Sequence, residues 1–151
     1  MKAIKKVFFA GIILLLFIQF FQPVRNTNKG QAPSSDFMRI YNPPISIKRT
    51  LLNSCYDCHS NNTNYPFYSY VQPVSYFLEM HINKGKKELN FNEWGNYSSR
   101  KKRNKLSAIK DQIENNKMPL PSYLGIHKHA KLSEAQKQEL FKWMESIHMN
   151  D

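Results

Sequence analysis

The only two cysteines of this 151-residue chain lie three positions apart in Cys55-Tyr56-Asp57-Cys58-His59, and a histidine follows the second directly. Two thiols one helical turn apart can each form a thioether bond to one edge of a porphyrin. The adjacent imidazole then reaches the iron from one face. The motif therefore predicts one covalently bound haem c, attached through Cys55 and Cys58, with His59 as the proximal iron ligand.

Three other interpretations of the cysteine pair compete with haem attachment: a structural disulfide, a thioredoxin-like redox pair and half of a zinc site. A closed zinc site needs four ligands, and the chain has no second cysteine or histidine pair at finger spacing. A redox pair needs no histidine at that position and usually follows a strand of a βαβ unit, a pattern the chain lacks. Haem attachment is the favoured interpretation, and the redox pair is the main alternative.

The amino terminus carries Lys2, Lys5 and Lys6 ahead of an apolar run over residues 7–21. Positive charge before an apolar stretch is typical of an export signal. No small-x-small cleavage pattern follows, so an uncleaved anchor over residues 1–24 is favoured over a removed signal peptide. The run covers roughly 22 Å against a hydrocarbon core of about 30 Å, so its flanks must help it to span. The predicted location is the bacterial plasma membrane, with the rest of the chain in the periplasm.

Residues 25–44 are rich in asparagine, serine and proline and contain little that a core would bury. This composition predicts a flexible tether. Residues 45–151 have the size of one small domain, in which a porphyrin would supplement the core.

Within this domain the patterns predict helices and no strands. Residues 45–54 form a short helix that leads into the motif, and residues 60–66 form a loop around the haem edge. Aromatic side chains after that loop are predicted to shield the haem: Tyr65, Phe67, Tyr68 and Tyr70. Pro73 opens a second helix that ends near Gly85. Its inward residues are predicted to be Val74, Phe77, Leu78, His81 and Ile82.

Two further helices complete the domain. Ser98 or Ser99 caps a third helix that ends at Asn115-Asn116 and carries Leu106, Ile109 and Ile113 inward. The run from Leu132 to Gln136 is a capping box for the last helix. The buried residues of that helix are predicted to be Leu140, Trp143, Met144 and Ile147. The predicted fold class is a small all-α, cytochrome-c-like domain around one haem.

The opposite face of the iron requires a second ligand or stays open. The candidates are Met38, Met80, Met118, Met144, Met149, His81, His127, His129 and His148. Most of them belong to predicted helices or to the tether, and Met80 is assigned to a helix core. Met118 lies in a proline-rich loop between two helices, where an extended segment can cross the far face. Met118 is therefore the predicted distal ligand, with His127 or His129, or an open position, as the alternatives.

The second ligand selects the chemistry. A thioether raises the reduction potential, and iron held on both faces has no vacancy for dioxygen or peroxide. The prediction is an electron carrier that is not itself an enzyme, acting alone or as the cytochrome subunit of a redox enzyme. An open sixth position would instead indicate a sensor or a peroxide- or gas-reactive enzyme. A haem-free adaptor with a disulfide is a third hypothesis.

Four segments of the chain resemble the haem-binding-domain proteins, a family of small c-type cytochromes. They are residues 55–73 (CYDCHSNNTNYPFYSYVQP), 89–94 (LNFNEW), 118–120 (MPL) and 126–133 (IHKHAKLS). The resemblance covers essentially the whole soluble region. It implies a single haem c with the two thioether cysteines, a proximal histidine, ligation by Met118 and a compact cytochrome-c-like helical fold. In the broader cytochrome c fold the first and last helices cross.

The formal net charge is +11, and eight of the 22 lysine and arginine residues lie between positions 84 and 105. The basic residues of that region are Lys84, Lys86, Lys87, Arg100, Lys101, Lys102, Arg103 and Lys105. They form either a solvated face or a docking surface for an acidic redox partner or an anionic lipid surface. Nucleic acid is not an expected partner outside the cytoplasm.

Overall fold

The computed structural model describes residues 2–28 and 30–148 of the chain. All regular secondary structure in these residues is helical, which confirms the all-α prediction. The α-helices are α1 (Lys2–Ile18), α2 (Phe37–Tyr41), α3 (Ile45–Leu51), α4 (Asp57–His59), α5 (Val74–Glu88), α6 (Ser99–Glu114), α7 (Pro121–Ile126) and α8 (Glu134–His148). A π-helical turn, Leu52–Tyr56, joins α3 to α4, and short 3-10 turns cover Phe67–Tyr70, Phe91–Asn96 and Lys128–Ala130. Met149, one of the ligand candidates, lies outside the described residues.

Helices α3, α6 and α8 enclose the core, because α8 contacts both of the others. The predicted capping box of α8 is confirmed: the Ser133 N–H donates to Gln136 Oε1 at 2.9 Å, and the Gln136 N–H donates to Ser133 Oγ at 3.2 Å. Leu140, Met144 and Ile147 are buried as predicted, and Trp143 is partly buried against the same core. Helix α3 contacts α8, while the crossing of first and last helices that the resemblance implies stays a prediction.

Helix α6 also follows the sequence prediction. The hydroxyl of Ser98 accepts a hydrogen bond from the backbone of Lys101, which is the expected N-cap. Leu106 and Ile113 are buried. The helix ends at Glu114, and Asn116 then adopts a left-handed backbone with φ of 53°, a conformation that asparagine tolerates. This end of α6 directs the following loop back across the domain.

The segment predicted as a flexible tether differs from that expectation. Residues 25–44 include helix α2, and the side chain of Phe37 within it is 1 % exposed. Asp36 caps this helix, since its Oδ1 accepts hydrogen bonds from the backbone of Met38 and Arg39. The ring of Phe37 lies 4.7 Å from that of Trp94, centroid to centroid. The packed part of the chain therefore begins before Pro44, because a short capped helix delivers one large aromatic side chain to the core.

Helix α5 is longer than predicted and buries a different face. It ends at Glu88 rather than near Gly85, and its buried residues are Ser75, Glu79 and Ile82. Of the predicted inward residues, only Ile82 is buried; Leu78 is partly buried and Val74, Phe77 and His81 are exposed. The hydroxyl of Tyr65 donates a hydrogen bond to Glu79, so polar contacts help to set the rotation of α5.

The apolar run at the amino terminus folds into helix α1, which ends at Ile18, and none of its side chains is buried. The sequence analysis predicted that residues 1–24 span a bilayer with help from their flanks. In residues 2–28 and 30–148, no helix has both the length and the apolar character that crossing a membrane requires.

Candidate haem-attachment site

The two cysteines and His59 lie on one continuous helical path. Cys55 belongs to the π-helical turn Leu52–Tyr56, and Cys58 and His59 belong to α4. Such turns inside α-helices are frequent at functional sites. Helix α4 ends because Ser60 takes an extended backbone with φ of −137°. The prediction that a helix leads into the motif is confirmed, and the motif itself is also helical.

The imidazole of His59 is oriented by the backbone. Its Nδ1 lies 3.0 Å from the carbonyl oxygen of Leu89. A carbonyl oxygen only accepts hydrogen bonds, so Nδ1 carries the proton and Nε2 keeps a lone pair. Burial lowers the pKa of His59, partly offset by hydrogen bonds to the carbonyls of Leu89 and Gly85. The neutral ring is the form that binds a metal ion.

The thiols of Cys55 and Cys58 are free and partly buried. Burial raises the pKa of Cys55 to about 12, and the neighbouring Cys58 adds to the effect. Burial and the charge of Asp57 raise the pKa of Cys58 to about 11. Redox-active cysteine pairs instead have a lowered thiol pKa. The environment of the pair therefore disfavours the thioredoxin-like alternative.

Two adjoining cavities open beside the motif. The first, here called the α6-side cavity, has a volume of about 420 Å³, and the second, the α5-side cavity, has about 370 Å³. Cys55, His59, Met118 and Pro119 line both of them. Apolar residues of the α6-side cavity include Leu89, Phe91, Ile109, Ile113 and Leu132. Together the cavities have the size and the apolar lining of a cofactor site.

Met118 reaches this site from the loop after α6. The backbone N–H groups of Lys117 and Met118 both donate to the carbonyl of Gln112, at 2.9 and 3.1 Å. These bonds fold the chain back over the last turn of α6. Pro119 follows, and Pro121 begins α7. The loop predicted from the sequence thus brings the thioether of Met118 to both cavities that His59 lines.

The histidines proposed as alternative ligands lie elsewhere. The ring of His127 stacks on Tyr123 at 4.1 Å between centroids, and its Nε2 lies 3.2 Å from the hydroxyl of Tyr68. His129 lines a separate open polar cleft of about 720 Å³. Neither residue lines the α5-side or the α6-side cavity.

The aromatic residues expected to shield the haem occupy other positions. Phe67 and Tyr70 are exposed, and Tyr65 forms hydrogen bonds with Asn26 and Glu79. The aromatic side chains that line the cavities are Phe91 and Tyr123. The hydroxyl of Tyr123 donates to Asp57 within the motif at 2.7 Å, which ties α7 to α4.

Other residues of the site were missed by the sequence analysis. Met80, assigned there to a helix core, is exposed and lines the α5-side cavity together with His81. Lys84 lines both cavities, and Lys105 lines the α6-side cavity. The periodicity of α5 and α6 was the available signal, but it does not show which helix face meets a cavity.

Gly85 brings the backbone of α5 close to the motif. A Cβ atom at this position would lie 2.8 Å from the backbone oxygen of Cys58 and 3.4 Å from Cε1 of His59. We expect Gly85→Ala to lower the free energy of unfolding by about 1–3 kcal/mol, because backbone atoms must move to remove the overlap. The matched control is Gly125→Ala in α7, where nothing lies within 4 Å of an added Cβ. Urea denaturation measures the free energy of unfolding of both variants. Equal stability of the two would contradict the close contact between position 85 and the backbone of Cys58.

Comparison with known proteins gives one match. A family model described as a haem-binding domain matches residues 13–146, which is most of the chain. No curated protein and no solved structure matches this chain. The cytochrome-c-like character of the fold therefore stays a prediction.

Proposed function

The chain belongs to the haem-binding-domain family and is a haem protein, and from this premise we propose that it is a monohaem c-type cytochrome that carries single electrons. One observation carries the proposal: Cys55, His59 and Met118 line the same pair of adjoining cavities, and Cys58 lines one of the two. Two sulfur nucleophiles, one imidazole and one thioether around an apolar space are the donor set of a covalently held, six-coordinate haem.

The residues fit this group in three respects. Most of the surface that lines the cavities is apolar, which suits a porphyrin ring. The thiols lie three positions apart on a helical path, next to the imidazole. The free Nε2 of His59 is the atom that would bind iron, since its Nδ1 is engaged by Leu89.

Each residue then has a defined part. Cys55 and Cys58 form the thioether bonds, and the carbonyl of Leu89 holds the ring of His59 at a fixed rotation. The haem supplies the one-electron redox couple when bound. Phe91, Ile109 and Ile113 exclude water from the α6-side cavity, which favours the less charged, reduced state. No residue is assigned a bond-making role on a substrate.

Met118 is the best-placed distal ligand among the sulfur and imidazole side chains of the site. It lines both cavities, as His59 does. Met80 and His81 line only the α5-side cavity. A ligand opposite His59 must reach the same space as His59, and this condition favours Met118.

The distal ligand provides the test of electron transfer against sensor or enzyme function. We expect the ferric wild type to be low-spin, with a near-infrared methionine–iron charge-transfer band. Met118→Ala should lose the band, bind carbon monoxide in the ferrous state and have a lower reduction potential, since a thioether favours ferrous iron. Met80→Ala is the control: Met80 is a neighbouring thioether on the α5-side cavity, and no bond to iron is proposed for it. This variant should keep the band.

Two results would contradict the proposal. A high-spin ferric wild type that binds carbon monoxide at once in the ferrous state would indicate an open sixth position and the sensor or enzyme alternative. Retention of the charge-transfer band in Met118→Ala would assign the ligand to another residue.

Location and partners belong to the same proposal. The basic amino terminus and apolar run favour export, so that haem is attached outside the bacterial plasma membrane. Lys105 lines the α6-side cavity, and Arg100 and Lys101 lie nearby on α6. We propose that this basic surface steers an acidic redox partner toward the haem edge.

A further inference from the structure

An apolar surface on α5 and the turn before it is largely exposed. Its residues, here called the α5 patch, are Phe67, Tyr70, Val71, Val74, Tyr76 and Phe77, each between 42 % and 87 % exposed. The helix buries Ser75, Glu79 and Ile82 instead. A surface helix normally presents polar residues to solvent, so this inverted pattern indicates that something covers the patch.

The α5 patch adjoins the amino-terminal segment. Gln19 and Gln72 are joined by two hydrogen bonds, of 2.9 and 3.3 Å, and the buried side chain of Gln72 also donates to the carbonyl of Phe21 at 2.6 Å. The guanidinium of Arg25 lies 3.9 Å from the ring centroid of Tyr70. The chain that leaves α1 is therefore fastened to the edge of the patch.

From Val7 onward, helix α1 is apolar around its circumference, and none of the side chains of α1 is buried. Phe20, Phe21 and Val24, which follow it, are also exposed. A helix that docks on one protein surface has an apolar stripe and a polar face, whereas a helix surrounded by lipid is apolar on all sides. The contacts of Gln19, Phe21 and Arg25 bring the end of α1 to the edge of the α5 patch, so one occupant should cover both.

The composition of the patch points to the interfacial zone of a bilayer. It contains the rings of Phe67, Phe77, Tyr70 and Tyr76, and amphipathic aromatic residues concentrate at the level of the lipid headgroups. Lys84 and Lys87 lie next to it, in a cleft that Pro23 and Tyr76 also line. Ammonium groups at this position suit anionic headgroups.

We propose that the α5 patch rests on the lipid surface into which α1 inserts, so that the haem-binding domain is held against the membrane in one orientation. Met80, next to the patch on α5, lines the α5-side cavity. The lipid surface then lies beside that cavity, and the opposite side of the domain stays open to protein partners. This inference does not rest on electron transfer, because lipid contact is independent of the chemistry of the iron.

Vesicle binding of the full, haem-loaded chain tests the proposal. Partition is measured by co-sedimentation with vesicles of phosphatidylcholine alone and of phosphatidylcholine with phosphatidylglycerol. The variant is Phe67→Ser with Phe77→Ser, and the control is Ile45→Ser with Ile126→Ser, two side chains that are 65 % and 64 % exposed outside the patch. We expect the affinity of the patch variant for both vesicle types to fall roughly tenfold or more. The affinity of the control variant should fall less than about threefold.

An unchanged haem spectrum and far-ultraviolet circular dichroism would show that both variants are folded. A patch variant that binds vesicles as the wild type does, or a control that loses equal affinity, would overturn the proposal. A patch variant that instead loses a protein partner while keeping vesicle affinity would assign the surface to that protein.

Discussion

A chain carrying Cys55→Ser and Cys58→Ser is expected to contain no covalently bound haem. In the wild type, one haem per chain should remain after extraction with acidified acetone and should appear in the intact mass. Both thioether bonds require a sulfur nucleophile, and a serine hydroxyl does not replace it. Serine and cysteine side chains have similar volumes, so the two cavities beside the motif should persist in the double variant.

The measurement is the mass of protein matured with a working haem-attachment system outside the cytoplasm. Met80→Ala is the matched control, since Met80 lines the α5-side cavity and no bond to haem is proposed for it. It should keep one haem per chain. Haem that remains bound to the double variant after extraction, or wild-type protein of unmodified mass, would refute covalent attachment. The second result would favour the haem-free adaptor.

Phe37→Ala is expected to lower the free energy of unfolding by about 3–5 kcal/mol. The ring is 1 % exposed and packs edge-on against Tyr41, Trp94 and Trp143, with centroid distances of 5.1, 4.7 and 5.6 Å. Removing it leaves a cavity that these rigid aromatic neighbours cannot fill by small movements. A loss of this size is a large share of the stability of a small domain.

Phe67→Ala provides the control, because this phenylalanine is 87 % exposed. Its effect in solution should stay within about 0.5 kcal/mol. Urea denaturation of both variants gives the comparison, with the denaturant dependence of the unfolding free energy unchanged. If Phe37→Ala lowers the free energy of unfolding as little as Phe67→Ala does, then residues 25–44 behave as the linker that their composition suggests.

The attachment motif and helices α6 and α8 were predictable because their signals are local. The spacing of Cys55, Cys58 and His59 needs no tertiary information. The cap at Ser98 and the capping box at Ser133 involve residues within three positions of each other, and the structure confirms both. The predicted loop around Met118 is also present, although its ligation stays a prediction.

Helices α2 and α5 show where local signals fail. Helix α2 has only five residues, too few for a periodic pattern, although Asp36 ahead of Phe37 was a usable N-cap signal. In α5, apolar residues occur around most of the circumference, so periodicity alone favoured the wrong face. Contacts with neighbouring segments decided which face of α5 is buried. The hydrogen bond from Tyr65 to Glu79 is one of these contacts.

The sequence by itself determined the chemistry available to this protein: two thiols, an adjacent imidazole and a thioether in a proline-rich loop. Only the tertiary structure decided how these groups meet. The contact of Leu89 with His59 joins positions 30 apart, and the space that Met118 shares with His59 depends on how α5 and α6 pack. Such contacts arise from the burial of surfaces distant in the chain, and no short stretch of residues encodes them.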